Sequence, residues 1–507
     1  MSDTNTLSLD ELKRRLWAAC DTFRGVLDPS EYKDFILVML FLKYVSDVWE
    51  AHAAEARARY GEDEERVRRR LERERFFLPA DATFGTLYAA RDTDNIGERI
   101  NVALQAIEDT NRAKLEGVFR GVDFNSESKL GATRERNRRL KMLLEDFHSL
   151  DLSPDRVSED ALGEGYIYLV ERFASDAGKK AGEFYTPSQV SKLLARLVDP
   201  QPGARIYDPT CGSGSLLLRA AEVVEAKGSR DFSLWGQEVN GATWSLARLN
   251  MFLHGRDGAR LEWGDTLNEP KLVEGNALLK FGAVLANPPF SLDKWGAERA
   301  GEDRFGRYAR GVPPKSKADY AFILHMIESA LPQVGRIGVI APHGVLFRGG
   351  AEGRIRRTLI EENLLDAVVG LPAQLFPSTG IPVAMLIFDR ARERGGARAE
   401  ANDVMFVDSS RDFRPGRRQN VLEEAHMDRI VATVQARAAV ERYARPVPIT
   451  EIAENDFNLN IPRYVSSAEA TEAVDLAAVE ADIQRLEAEL AEVRAKMKQH
   501  LRELGVV

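Results

Sequence analysis

Asn287-Pro288-Pro289-Phe290 closes the apolar run Gly282-Ala283-Val284-Leu285-Ala286. These residue types in this order suit the grip of an amino group on a flat base. Two prolines stiffen the backbone as it leaves a buried strand, so the Asn287 amide and the Pro288 carbonyl can converge on one small donor. Phe290 adds a π-face on which a base extruded from a duplex could stack. Taken alone, the four residues suit equally well a plain turn at a strand end with a core Phe.

The upstream chain supplies a context. Arg205-Ile206-Tyr207-Asp208 reads as a short strand, and Pro209-Thr210-Cys211-Gly212-Ser213-Gly214 as a tight turn into the apolar helix Ser215 to Ala221. The third position of a dinucleotide loop is Leu217 here, which makes binding of NAD the weaker alternative. About one strand and one helix later, Glu238 ends Trp235-Gly236-Gln237, where a carboxylate can hold the two hydroxyls of a ribose. Asp265 follows in Gly264-Asp265-Thr266-Leu267 and suits the exocyclic amine of an adenine. Each acid alone reads as a solvated loop residue. A Gly loop, an acid, a second acid and then Asn-Pro-Pro-Phe, each closing a strand, is the layout of a ligand site along the carboxyl edge of an open α/β sheet.

With these motifs the chain resembles the class I S-adenosylmethionine-dependent amino methyltransferases, specifically the modification subunit of type I restriction-modification systems, which methylates adenine N6 in DNA. Two further segments carry the resemblance. Gly182-Glu183-Phe184-Tyr185-Thr186-Pro187 is similar to the family's cover over the methionine part of the cofactor, and Leu375-Phe376-Pro377-Ser378-Thr379-Gly380-Ile381-Pro382 to a loop typical of this subunit. The resemblance implies S-adenosylmethionine as cofactor, with Glu183, Phe184, Tyr185, Thr186, Pro187, Asp208, Thr210, Gly212, Ser213 and Gly214 around its amino-acid end. It implies Glu238 at the ribose, Asp265 at the adenine, and Asn287 bordering the cofactor as well as the target. Asn287 and Pro288 would accept from the target amine, with Pro289 in the same turn and Phe290 stacking on the flipped base. Such a transfer needs no protein nucleophile and no metal, because the sulfonium carbon is already activated and positioning supplies the rest. Other readings are a methyltransferase acting on RNA or on a protein glutamine, and a non-catalytic DNA-clamp subunit with a relic pocket.

The elements that must hold these residues follow from the apolar spacing. Residues 1–160 read as an α-helical amino-terminal domain, with a helix starting near Asp28-Pro29-Ser30-Glu31 and a boundary marked by Ser153-Pro154 and Gly163-Glu164-Gly165. Residues 161–465 read as the methyltransferase domain, an α/β fold with a doubly wound, mostly parallel sheet, whose strands near Ile206, Leu234 and Val284, at Arg336 to Ile340 and at Ala384 to Phe388 alternate with helices such as Asp319 to Pro332. Residues 466–507 hold a coiled-coil-like helix, with Leu476, Val479, Ile483, Leu486, Leu490, Val493 and Met497 spaced alternately three and four.

A chain of 507 residues with 44% hydrophobic and 29% charged residues is long enough for two or three domains. Its 2 cysteines and 7 histidines show no disulfide or metal-ligand spacing. The polar start lacks an export signal, and the longest apolar run, Phe35 to Leu42, is too short to span a bilayer, so a cytoplasmic protein without membrane contact is expected. A net charge of −9 is unexpected for a protein that grips DNA alone. Arg66 to Arg75 alternates with Glu and reads as a solvated helix face, whereas the scatter from Arg390 through Arg394, Arg398 and Arg411 to Arg418 reads as the run that meets phosphate. Target choice is expected to be delegated, because little chain follows the last methyltransferase-like strand. The resemblance names the partners: DNA, a specificity subunit reached through the carboxyl-terminal helix, a restriction subunit in the nuclease complex, and a second copy of this chain.

Overall fold

The computed structural model describes residues 6–23, 28–61, 63–177, 185–377, 379–417, 419–466 and 476–504. Residues 1–465 form one compact unit and residues 466–507 a second.

The first unit is built on a nine-stranded sheet. In chain order the strands are β1 Ala204–Asp208, β2 Phe232–Glu238, β3 Arg260–Trp263, then β4 Val273–Glu274 and β5 Ala277–Leu278, which pair only with each other, followed by β6 Ala283–Ala286, β7 Arg336–Pro342, β8 Leu365–Gly370, β9 Val383–Asp389, β10 Asp403–Asp408 and β11 Ala444–Pro448. Their spatial order is β11-β10-β8-β9-β7-β6-β1-β2-β3. The pairs β1/β2, β2/β3, β1/β6, β6/β7 and β8/β10 are parallel. Strand β9 runs antiparallel between β7 and β8, and β11 antiparallel on the edge. The order of the strands reverses between β1 and β6, which is where an open α/β sheet takes its ligand.

Both faces of this sheet are covered, and the side-chain period of two shows it. Along β9, Val383, Met385 and Ile387 enter one core, and Ala384, Leu386 and Phe388 the other. Helices Ser188–Val198, Ser215–Ala226 and Glu424–Ala436 bury apolar residues in the first core; Asp319–Ser329 and Gly350–Glu361 do so in the second. Helix Asp319–Ser329 is shorter than the expected span to Pro332. Ala330 is already extended (φ −81°, ψ 148°) because it bridges to Phe281, whose N–H donates to the Ser329 carbonyl and whose carbonyl accepts from the Leu331 N–H.

The amino-terminal region is helical, with Pro29–Tyr60 as its longest element. The pair Gly163 and Gly165, expected at a boundary, instead lies inside helix Glu159–Ala177, which runs across residue 160. These glycines serve close packing: a Cβ at Gly163 would stand 2.5 Å from the His254 ring, and one at Gly165 2.6 Å from Leu16 Cδ1. Helix Gly241–Leu253 joins the two regions. Its Ala247 and Met251 pack in the core under the sheet, while Leu246, Leu249, Phe252 and Leu253 pack with the amino-terminal helices.

The arginines expected to face phosphate divide: Arg390 and Arg398 are drawn into the protein together with Arg392, whereas Arg394, Arg411 and Arg414 are exposed. Arg392 and Arg398 hydrogen bond to Asp366 at 2.9 Å each, Arg437 joins them at 2.8 Å, and Arg390 donates to the carbonyls of Ile327 and Ala330. Burial pushes the Asp366 carboxyl up, but the Arg398 hydrogen bond and the charges of Arg437, Arg398 and Arg336 outweigh it and hold it down to about 2. Asp366 opens β8 and Asp389 ends the antiparallel β9, so this network lies at the amino edge of the sheet. Arg414 pairs with Glu423, and Arg418 lies outside the described residues. Of the run Arg66 to Arg75, Arg66, Arg68 and Arg69 form the expected solvated face, paired to Asp63, Glu72 and Glu65, but Arg75 turns inward and donates to Asp257 and to the Phe252 carbonyl.

The second unit is described as one helix, Leu476–Glu503. Val479, Ile483, Leu486, Leu490, Val493 and Met497 are 44–61% exposed along it. Among the described residues no helix is long and apolar enough to cross a membrane.

Candidate active site

A cavity of about 370 Å³ lies along the carboxyl ends of β1, β2, β3 and β6. Asp208, Thr210, Gly212 and Ser213 line it from the turn after β1, Glu238 from the end of β2, Asp265 from the loop after β3, and Asn287 and Pro289 from the turn after β6. Tyr185 and Thr186 line it from the segment ahead of helix Ser188–Val198, while Pro187 belongs to a neighbouring cavity of about 230 Å³. Glu183 and Phe184 lie outside the described residues. The structure thus brings together residues spread over a hundred positions.

The acids differ in state. Asp208 is 1% exposed; its Oδ1 accepts from the Thr210 N–H at 2.9 Å, and its Oδ2 is buried without a partner. Burial pushes its carboxyl up to about 8, and the Glu238 charge nearby adds to the rise. An unpartnered carboxylate oxygen in a cavity wall is a place for a cation, such as an amino acid's ammonium group. Glu238 is engaged by backbone: Oε2 accepts from Gly212 N–H at 3.0 Å and Oε1 from Asn240 N–H at 2.8 Å. Asp265 accepts from the N–H groups of Leu267 and Asn268 through Oδ1 and from Asn268 Nδ2 through Oδ2. Both carboxylates keep lone pairs in fixed directions, as acceptors for hydroxyl or amine hydrogens must.

The two glycines of the β1 turn have different tasks. Both have left-handed backbone, φ 53° at Gly212 and 82° at Gly214. A Cβ at Gly212 would meet only the Thr210 carbonyl, at 3.9 Å, so the space beside it is open to a ligand. A Cβ at Gly214 would stand 2.6 Å from Met251 Cε. Gly214 is also absent from the cavity wall. Its missing side chain lets helix Gly241–Leu253 approach.

Asn287 is 7% exposed, its Nδ2 donates to Thr186 Oγ1 at 2.8 Å, and its Oδ1 is buried without a partner. Pro288 is buried outside the cavity lining, and Phe290 lies half-buried with its ring 6.3 Å from that of Phe376. The turn is held on its far side by Asp319. The Ser291 N–H donates to Asp319 Oδ1 at 2.8 Å, which fixes Ser291 at φ 51°, and Arg348 donates to Asp319 Oδ2 at 3.1 Å. Asp319 opens its helix, a position where acids are common, and nothing in the sequence pairs it with Ser291.

Other contributions have no sequence signal. Lys33 and Leu37 of helix Pro29–Tyr60, with Val170, Phe173 and Ala174 of Glu159–Ala177, form the wall opposite the sheet edge. Arg307, 4% exposed, pins the Asp265 loop by donating to the carbonyls of Thr266 at 3.2 Å and Leu267 at 2.9 Å. Both cysteines are buried and neither is in a disulfide.

The residues present fit S-adenosylmethionine: an acceptor for an ammonium, two anchored carboxylates for hydroxyls and an amine, and open space at Gly212. Comparison with known proteins agrees. Residues 157–473 match the N-6 DNA Methylase family and residues 12–147 the HsdM N-terminal domain. The chain is 28% identical to the methylase subunit of the type I restriction enzyme MpnII of Mycoplasma pneumoniae, over 100% of this chain and 98% of that one. It is 31% identical to the MjaVII methylase subunit of Methanocaldococcus jannaschii, over 92% of this chain and 80% of that one. A solved type I restriction-modification methyltransferase subunit from Streptococcus thermophilus superposes with a TM-score of 0.80 at 35% identity, covering 91% of this chain and 100% of that one. The chain belongs to the N-6 DNA methylase family as a methylase subunit of type I restriction-modification systems, an S-adenosylmethionine-dependent adenine-N6 DNA methyltransferase.

Proposed function

We propose that the cavity divides its labour by strand. Asp208, with the backbone at Gly212 and the side of the wall formed by Tyr185 and Thr186, receives the amino-acid end of the cofactor. Glu238 takes the ribose hydroxyls and Asp265 the adenine amine. S-adenosylmethionine supplies the activated methyl group on its sulfonium. Asn287 Oδ1 and the Pro288 carbonyl accept the two hydrogens of the target amine, which favours the tetrahedral nitrogen that can attack, while Phe290 offers its face to the flipped base. The rest is placement in a water-poor pocket. The observation that carries this assignment is the pair of buried, unpartnered oxygens, Asp208 Oδ2 and Asn287 Oδ1, in the wall of one cavity.

The same proposal delegates target choice to a specificity subunit, docked on the apolar seam of helix Leu476–Glu503. It includes a second copy of this chain and, in the nuclease form, a restriction subunit, and it puts the chain in the cytoplasm with its DNA. The test is Asn287→Ala in the complex with the specificity subunit. Methyl transfer should fall at least about a hundredfold, as for loss of a preorganised polar group at a reacting centre, with cofactor affinity by calorimetry nearly unchanged. Transfer within a few-fold of the parent would remove Asn287 from the reaction.

A further inference from the structure

Strand-ending acids in this protein share a habit. Asp208 ends β1, Asp389 ends β9 and Asp408 ends β10; in each, Oδ1 accepts from the N–H two residues on, from Thr210 at 2.9 Å, Ala391 at 2.9 Å and Ser410 at 3.1 Å. A short side chain at a strand end is thus captured by its own backbone turn. Asn287 directly follows β6 and should do the same. The residue two on is Pro289, which has no N–H to give. Asn287 Oδ1 therefore stays buried and unpartnered, while Nδ2 donates at 2.8 Å to Thr186 Oγ1, 101 residues earlier in the chain.

We infer that Pro289 and Thr186 are positioning residues that together set which end of the Asn287 amide meets the target amine. An amide presents an acceptor on one side and two donors on the other, so rotation by half a turn would set N–H against N–H. Pro289 removes the local donor that would hold the oxygen down. Thr186 Oγ1, accepting from Nδ2, holds the amide in place, and because a hydroxyl can also donate, it is the N–H missing at Pro289 that leaves the oxygen end to the substrate. Neither device alone suffices: without Thr186 the amide is free to turn, and without Pro289 its oxygen is drawn into the backbone.

The segment carrying Thr186 is itself anchored, as a positioning role needs. The Tyr185 hydroxyl and the Ser188 N–H both donate to Glu171 Oε1, at 3.1 and 3.0 Å, and Arg219 Nη2 donates to Ser188 Oγ at 2.9 Å while its Nη1 pairs with Glu164 at 2.7 Å. Thr186 thus sits between two residues tied to helix Glu159–Ala177. Thr186 also lines the cofactor cavity, which makes its hydroxyl a link between that cavity and the acceptor for the target.

The inference rests on Asn287 being the acceptor for the target amine, and the test separates the two. In the complex with the specificity subunit, Thr186→Val keeps the shape and removes the acceptor, Thr186→Ser restores it, and Pro289→Ala returns an N–H to the turn. Thr186→Val and Pro289→Ala should each lower kcat about 10- to 100-fold, the worth of one or two hydrogen bonds, with KM for DNA within about threefold of the parent. Thr186→Ser should stay within about threefold in kcat, since its hydroxyl can accept the same bond. Parental kcat in Thr186→Val beside an inactive Asn287→Ala would overturn the positioning and leave the acceptor role standing. Parental kcat in Asn287→Ala would remove the acceptor role itself. A Thr186→Ser as slow as Thr186→Val, or a Pro289→Ala at the parental rate, would also overturn the inference. Pro289→Ala decides the matter should Thr186→Val fail to fold.

Discussion

Replacing Asp208 by Asn should stabilise the free protein and cripple cofactor binding at once. The folded-state carboxyl is pushed up to about 8 by burial, with the Glu238 charge adding to it. An unfolded chain releases that proton near pH 3.9, so holding it at pH 7 costs about 4 kcal/mol, 1.36 kcal/mol for each of roughly three units. Asn carries no charge to suppress and keeps an oxygen for the Thr210 N–H. Its amide hydrogens, however, come to the place of an oxygen that has no partner. Allowing about 1–2 kcal/mol for that loss leaves a net gain of about 2–3 kcal/mol at pH 7. If the compact unit of residues 1–465 unfolds as one, this raises Tm by about 2–3 °C.

The pH dependence gives the sharper test. A carboxyl with a raised folded-state pKa binds more protons in the folded state, so the parent loses stability as pH rises from about 4 to about 8. The advantage of the variant should vanish near pH 5, turn into a deficit of about 1–2 kcal/mol near pH 4, and be full above pH 8. With the cofactor the sign reverses. An ammonium placed at Oδ2 favours the charged carboxylate, so the parent at pH 7 should release close to one proton on binding, visible by calorimetry in buffers of different ionisation enthalpy. The variant should release none and bind about 10- to 100-fold more weakly, the worth of a charged hydrogen bond. A variant with parental cofactor affinity and no rise in Tm at pH 8 would refute both the buried, unpartnered state of Asp208 and its role.

Gly212→Val puts a branched side chain at φ 53° on the open side of the cavity, so calorimetry should detect no cofactor; unchanged binding would place the ligand elsewhere. Replacing Ile483 and Leu490 by Asp sets charges into the terminal seam and should cost several kcal/mol of association with the specificity subunit while the first unit still binds cofactor; full assembly in a pull-down would show that the partner docks elsewhere.

The layout of the sheet edge was legible because each residue lies at or just past a strand's carboxyl end: the turn after β1, Glu238 on β2, Asp265 after β3 and Asn287 after β6. Strand β9 was legible as an apolar run, but its antiparallel insertion between β7 and β8 was not, since direction leaves no mark on a fully buried strand. Short strands such as Arg260–Trp263, and β8 with Asp366 inside it, carry too little periodicity to be read. Gly163 and Gly165 misled because a glycine that breaks a helix and one that lets another element approach are the same residue in a sequence. The bond from Asn287 to Thr186 spans 101 positions, and only the fold brings them together.

Part of the arginine run is drawn inside the protein while Arg394 and Arg411 stay exposed, and this division bears on how the protein meets DNA. A guanidinium suits a phosphate and a buried carboxylate equally well, and composition cannot tell which it will meet. Asp366 and Asp389 settle it for Arg392 and Arg398, at the sheet edge opposite the cavity. Arg336 and Arg437 are drawn into the same network. The helical region tells a similar story: Arg138 and Arg139 are paired with Glu135, and Lys141 with Asp92. Much of the positive charge that a net balance of −9 leaves available is therefore already matched within the chain. Phosphate contacts supply most sequence-independent affinity for DNA, and each cation taken up internally is one that releases no counterion from the duplex. An acidic chain whose arginines are in large part paired internally is consistent with the proposal above that a more basic partner holds the DNA, and the exposed residues of helix Leu476–Glu503 are where that proposal docks the partner.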